Sequence, residues 1–275
     1  MSQRVRYRPF TGDETVRLRL DAAPLELVLC QVRWPEFGYL QGDIGPVAAA
    51  LGKLLTDYPR YTSTAELAFT ITPEGVQQSE AGTVYQWESI DRAWHVALGR
   101  RFVTFYCTRY MTYEEFDRRL RDVVLHTQTA VGVPVIERVA VRYVNRISDD
   151  AVISRLPDLV RSEVLGYQAL AVQGDGVVLQ QGINQVLFSV DDSMLQVRSG
   201  VVPPGESVDA AVPQLQTASW VLDLDSFHDG EEQFDAGAIV ARASRLSDAA
   251  YDFFKWIITQ GFIEQFGGDN DQLDS

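Results

Sequence analysis

Short apolar runs in strict alternation, each closed by a turn signal, constrain this chain more than any other feature. Pro24 opens a run from Leu25 to Arg33 in which Leu25, Leu27 and Leu29 fall on one face. Comparable runs follow at Ala65–Thr72, Thr83–Ser89, Trp94–Leu98, Phe102–Thr108 and Ile136–Ile147, separated by Pro, Gly, Asp and Arg turn residues. A side-chain period of two belongs to extended strands with two unlike faces. The short connections between these runs suit antiparallel neighbours, because parallel ones need long crossovers.

Two segments in this half break the alternation. Gly42 to Pro46 reads as a turn into a helix from Val47 to Leu55, which Tyr58-Pro59 stops. Thr112 with Glu115 three residues on forms a capping box. Phe116, Leu120, Val123, Val124 and Thr127 then recur at helical spacing until Gly132 and Pro134 end the segment.

The second half repeats the theme more loosely. A short helix is expected over Leu156–Leu165. Strands are expected at Tyr167–Val172, Val177–Leu179, Ile183–Val190, Met194–Val201 and Ala218–Leu224. A long helix or helix pair then runs from Ala236 to Phe266. Tyr251, Phe254 and Ile258 share one face of it, and Phe253, Trp256 and Ile257 widen that stripe into a buried one. The fold class expected is α+β, with two similar halves, each a mainly antiparallel sheet packed with helices. Residues 1–150 would form the first half, led by an arginine-rich N-terminal arm. Residues 151–266 would form the second, and 267–275 a disordered acidic tail.

Composition narrows the class. A hydrophobic fraction of 46% and an aromatic fraction of 11% are ample for a packed core. No apolar run approaches the ~20 residues that span a bilayer, and no signal-peptide core follows Met1, so a cytoplasmic protein without a membrane partner is expected. Cys30 and Cys107 both sit inside apolar runs as small buried hydrophobes, and no clustered Cys/His spacing suggests zinc. Charge is unevenly distributed. Residues 1–150 hold 18 Lys/Arg against 19 Asp/Glu, a net of −1, whereas residues 151–275 hold 6 against 19, a net of −13. An acidic half either keeps the protein soluble or meets a basic protein partner.

Five segments taken together resemble a family. They are Pro24–Trp34, Tyr110–Leu120, Val141–Ile147, Ser219–Phe227 and Tyr251–Thr259. In this order the chain resembles a sporadically distributed, uncharacterised family of bacterial and archaeal proteins of about this length. The resemblance implies patchy inheritance of the kind seen in mobile or antiviral defence genes, and it implies no reaction.

Two polar clusters are candidates for function. On a strand over Ile136–Ile147, Arg138, Arg142 and Arg146 share one face, with Arg118, Arg119 and Arg121 on the preceding helix and Arg100 and Arg101 entering the preceding strand. Such a row of guanidinium groups could grip phosphate or carboxylate bidentately. The alternative is ion pairing with Glu66, Glu88 or Glu137 across a solvated face. The second cluster is acidic. Asp223 and Asp225 share a strand face, and with His228 they could hold Mg²⁺ or Mn²⁺. The adjoining His228–Glu232 also reads as a turn between strand and helix, with Glu231 and Glu232 available to a basic partner.

Catalytic signatures are missing from the sequence. There is no G-x-S-x-G, P-loop or dinucleotide fingerprint, and His95 and His126 read as structural. The first reading is therefore a non-enzymatic binding or interaction protein with no cofactor, an accessory component of a bacterial defence, stress or toxin–antitoxin locus. A phosphate- or nucleotide-recognising module using the arginines is second, and a divalent-metal-dependent hydrolase third. A basic protein partner is expected, homo-oligomerisation stays open, and nucleic acid has weak support.

Overall fold

The computed structural model describes residues 18, 20–72, 75–168 and 179–268, and of residues 66–81 only the backbone where it is described. The expected N-terminal arm and acidic tail, the strands expected at Tyr167–Val172 and Val177–Leu179, and the Glu66 side chain fall wholly or mostly outside those residues. Nine strands and six α-helices make up the described chain, an α+β fold. The strands are β1 (Leu25–Arg33), β2 (Arg60–Thr72), β3 (Gly75–Glu88), β4 (Trp94–Gly99), β5 (Phe102–Cys107), β6 (Val135–Ile147), β7 (Gly182–Val190), β8 (Ser193–Val202) and β9 (Ser219–Gln233). The helices are α1 (Gly45–Leu54), α2 (Tyr113–Val131), α3 (Asp150–Ile153), α4 (Leu156–Leu159), α5 (Ala236–Ile257) and α6 (Gln260–Gln265). Hydrogen bonding orders the strands β2-β3-β4-β5-β1-β6-β9-β8-β7.

Two compact units interleave along the chain. A central unit comprises Val28–Val141 and His228–Ser244; a terminal unit comprises Met1–Leu27, Arg142–Phe227 and Arg245–Ser275.

In the central unit, β5 lies between β4 and β1, with Gly99 opposite Phe102 and Val32 opposite Val103. Alternation puts Val103 and Phe105 inward, both almost fully buried. Helix α2 covers them: Phe116 lies 5.1 Å from Phe105 and 6.4 Å from Trp94 between ring centroids. Thr112 caps that helix, its side chain accepting from the Glu115 amide at 3.3 Å, and Gly132 closes it in the left-handed region at φ 67°. Strands β2 and β3 are longer than the alternation suggested. The sequence from Gly75 to Gly82 is polar and glycine-bearing, so it lacks the apolar signal, yet it pairs with β2 on both sides of a register shift at Glu66/Leu67.

In the terminal unit, β8 lies between β9 and β7, and the pairing runs from Met194↔Phe227 to Val202↔Ser219 on one side. Gly200 is needed for the other side: a Cβ there would meet the Gly182 carbonyl oxygen at 1.8 Å. The expected helix over Leu156–Leu165 is a single turn. Pro157 starts α4, and Val160 then leaves the helical region to bridge Ile258. The long C-terminal helix is a pair, as its aromatic stripe allowed. Thr259 breaks it and caps α6 by accepting from the Phe262 amide at 3.3 Å. Phe253, Ile257 and Ile258 are buried, and Phe254 is 8% exposed.

Strand β9 corrects one expectation. The stretch His228–Glu232, with the composition of a turn, continues the strand to Gln233. Among the described residues, no helix is long and apolar enough to cross a membrane.

Candidate functional site

The three stripe arginines of β6 each meet a carboxylate from elsewhere in the fold. Arg142 makes a bidentate pair with Asp223, its Nε donating to Oδ1 at 2.7 Å and its Nη2 to Oδ2 at 3.0 Å. Its Nη1 donates to Asp209 at 2.6 Å and its Nη2 to the Val208 carbonyl at 3.3 Å. Arg198 of β8 donates to the same Asp223 carboxylate. Asp223 is 1% exposed, so its charge is matched by two guanidinium groups rather than by water. Burial pulls against the Arg142 charge, but the hydrogen bonds and charge of Asp223, with Asp209 and Asp225, hold its pKa above the ordinary arginine value.

Arg146 donates to the Pro213 carbonyl and lies 3.5 Å from Glu26. Together Arg142 and Arg146 therefore hold the connection between β8 and β9 at Val208, Asp209 and Pro213. In the central unit Arg138 pairs with both oxygens of Asp229, at 2.9 and 3.0 Å. The anions that occupy this stripe are thus Asp223, Asp209, Asp229 and Glu26. Glu137, one of the carboxylates expected to pair with the arginine cluster, accepts from Arg101 of that cluster at 2.9 and 3.2 Å.

The expected metal ligands are placed as follows. Asp223 is engaged by the two arginines, and Asp225 of the same strand faces Gln196 in register. His228, in the central unit, sits 3.3 Å from Glu232 through Nε2 and 3.4 Å from Arg242 through Nδ1. Arg242 also donates to Glu232 at 2.5 Å. Glu231 is exposed and Glu232 half-buried in that pair. Among the described residues no group of three or more His, Cys, Asp or Glu is arranged to hold a metal ion.

Outside these clusters the terminal unit presents a surface that the residue pattern did not single out. Among the described residues, strand β7 is the last in the order, and it carries no charged residue and no proline from Gly182 to Val190. Its side chains are exposed on both faces: Ile183 is 42%, Val186 46% and Leu187 54% exposed. Phe188 packs on Phe253 at 5.3 Å between ring centroids. The hairpin to β8 turns through Asp191 and Asp192, both exposed, with Asp191 at φ 52°. Alternation identified β7 as a strand, but nothing local in a sequence says which strand ends a sheet.

Compared with known proteins, the chain matches no family model and no curated protein.

Proposed function

We propose that this chain is a non-enzymatic, cytoplasmic binding protein that docks an extended segment of a basic partner protein alongside β7. The observation that carries the reading is the chemistry of that terminal strand. Edge strands are ordinarily guarded by charge, proline or a bulge, because their open side templates pairing with another chain. β7 has neither charge nor proline, and it exposes Ile183, Val186 and Leu187. A partner strand adding there would gain main-chain hydrogen bonds, and its alternate side chains would cover these apolar groups.

Charge selects the occupant. A second copy would bring another acidic half of net −13 against the first, whereas a segment flanked by Lys or Arg would meet Asp191 and Asp192 at the hairpin tip. The same reading fits an accessory component of a bacterial defence, stress or toxin–antitoxin locus, the setting that the family resemblance implies.

The test starts from the native protein, purified with its partner, the partner then being identified by mass spectrometry. Hydrogen exchange of the reconstituted complex should slow at the β7 amides, and Leu187→Lys should weaken the complex at least tenfold without lowering the melting temperature. Protection confined to other strands would overturn the proposal. So would a homodimer, measured by sedimentation, that Leu187→Lys dissolves.

A further inference from the structure

We infer that the segment docking on β7 is selected by one large apolar side chain opposite Val186, with a Lys or Arg about five residues away toward the β7–β8 turn. The inference rests on the β7 reading and names the peptide chemistry that this edge prefers. Alternation places Asn184, Val186 and Phe188 on one face of β7, the face that meets α5 at Phe188. On that face the two outer positions are covered and the middle one is open.

The backbone of Gly166 lies against Asn184, and a Cβ there would collide with the Asn184 side chain. Ser199, the β8 partner of Asn184, pins that cover, its hydroxyl donating to the Val164 carbonyl at 2.6 Å. At the other end the buried Phe253 ring of α5 packs on Phe188. Between them Val186 is 46% exposed, whereas Val197, its partner on β8, is 2% exposed. The cover therefore reaches β7 at Asn184 and Phe188 but stops at β8 in the row of Val186. The result is a notch one strand position wide, floored by Val186 and open along the edge.

In a strand added to β7, the residue opposite Val186 has its Cβ about 5 Å away on the same face. A large aliphatic or aromatic side chain there closes the notch and removes exposed apolar surface from water. A charged one would lose water without gaining a partner, since β7 carries no charge. A free small molecule fits poorly. The open edge would leave it well short of the roughly 70–90% burial typical of small-molecule sites, whereas a strand also gains main-chain hydrogen bonds. Asp191, exposed in the turn, lies five positions beyond Val186, about 16 Å along an extended chain. That spacing places the basic residue of the docked segment.

Selection of a phage-displayed library of random dodecapeptides on the full chain tests this. Selected peptides should share one Leu, Ile, Met or Phe with Lys or Arg about five residues to one side. Synthesised alone, they should slow hydrogen exchange at the β7 amides. Replacing the shared apolar residue by Ser should weaken binding at least tenfold, a measurement that needs no altered protein. Val186→Trp, which fills the notch, should do the same without lowering the melting temperature, and Gln185→Trp on the opposite face should stay within threefold of the parent. Peptides that protect β7 but share no apolar position, or that bind Val186→Trp as they bind the parent, would overturn this inference and leave docking at β7 standing. Selected peptides that leave the β7 amides unprotected would overturn both.

Discussion

Arg142 and Asp223, 81 positions apart in the chain, form a bidentate ion pair in which the carboxylate is 1% exposed. Removing one partner of a buried pair leaves the other charge without water, which costs about 3–5 kcal/mol. Asp223 answers two arginines, so Asp223→Ala should fall at the upper end of that range by urea denaturation. Arg198→Gln should cost less, because the Arg198 side chain is 31% exposed and water replaces part of the contact. Proteolysis of the Asp223→Ala protein should begin between Pro203 and Thr217, since Arg142 also holds Val208 and Asp209.

The C-terminal aromatic stripe separates into two kinds of contact. Phe254 is 8% exposed and packs edge-on against Phe262 at 5.8 Å, so Phe254→Ala should cost roughly 3–5 kcal/mol as a core truncation. Trp256 is half-buried and lies under the Arg161 guanidinium, 4.8 Å from the ring centroid, while packing on Phe253. Trp256→Ala should therefore be milder than Phe254→Ala, and Trp256→Phe should recover most of the difference. Thermal melts of the three variants decide the ranking.

Cys30 and Cys107 are free and buried, and burial pushes each thiol from 9.0 up to about 12. The sign follows from proton binding. Between those values the unfolded chain releases the thiol protons and the folded chain keeps them, so stability falls as pH rises. Below about pH 8 both states keep their thiol protons and the contribution is flat. Cys30→Ala should therefore flatten the loss of stability between pH 9 and 11, by up to about 1.4 kcal/mol per unit. Native protein at pH 8 should also resist a thiol-specific disulfide reagent until urea unfolds it.

What the sequence disclosed was local. Leu25, Leu27 and Leu29 marked β1 by period, and Thr112 with Glu115 marked the start of α2 by chemistry, because both signals lie within a few residues. The partners of the arginine stripe were not local. Glu66, Glu88 and Glu137 were the plausible neighbours, but strand order brings Asp223 to Arg142 and Asp229 to Arg138. His228–Glu232 looked like a turn for a related reason. Its composition is polar, yet Arg138 and Arg242 pair with Asp229 and Glu232 and hold the segment extended in β9. Arg100 and Arg101 stood out as a pair, but they form the β4–β5 turn rather than the start of β5, and the long-range pairing of Arg33 with Phe102 sets that turn beside the end of β1.

The two adjacent glutamates at the end of β9 provide the last test, because their neighbours differ. Glu231 is exposed, so Glu231→Lys should leave stability within about 0.5 kcal/mol of the parent. Glu232 accepts from Arg242 and sits beside His228, so Glu232→Lys replaces an attraction with a repulsion at a half-buried position. It should destabilise by about 1–3 kcal/mol, and Glu232→Gln by less. The pair then separates two surfaces for the basic partner. If β7 is the docking edge, Glu231→Lys should leave the dissociation rate unchanged and alter the association rate only modestly, an effect that shrinks as salt shortens the Debye length below ~8 Å. A tenfold faster dissociation of the Glu231→Lys complex, with Leu187→Lys binding as the parent does, would move the partner from β7 to the end of β9.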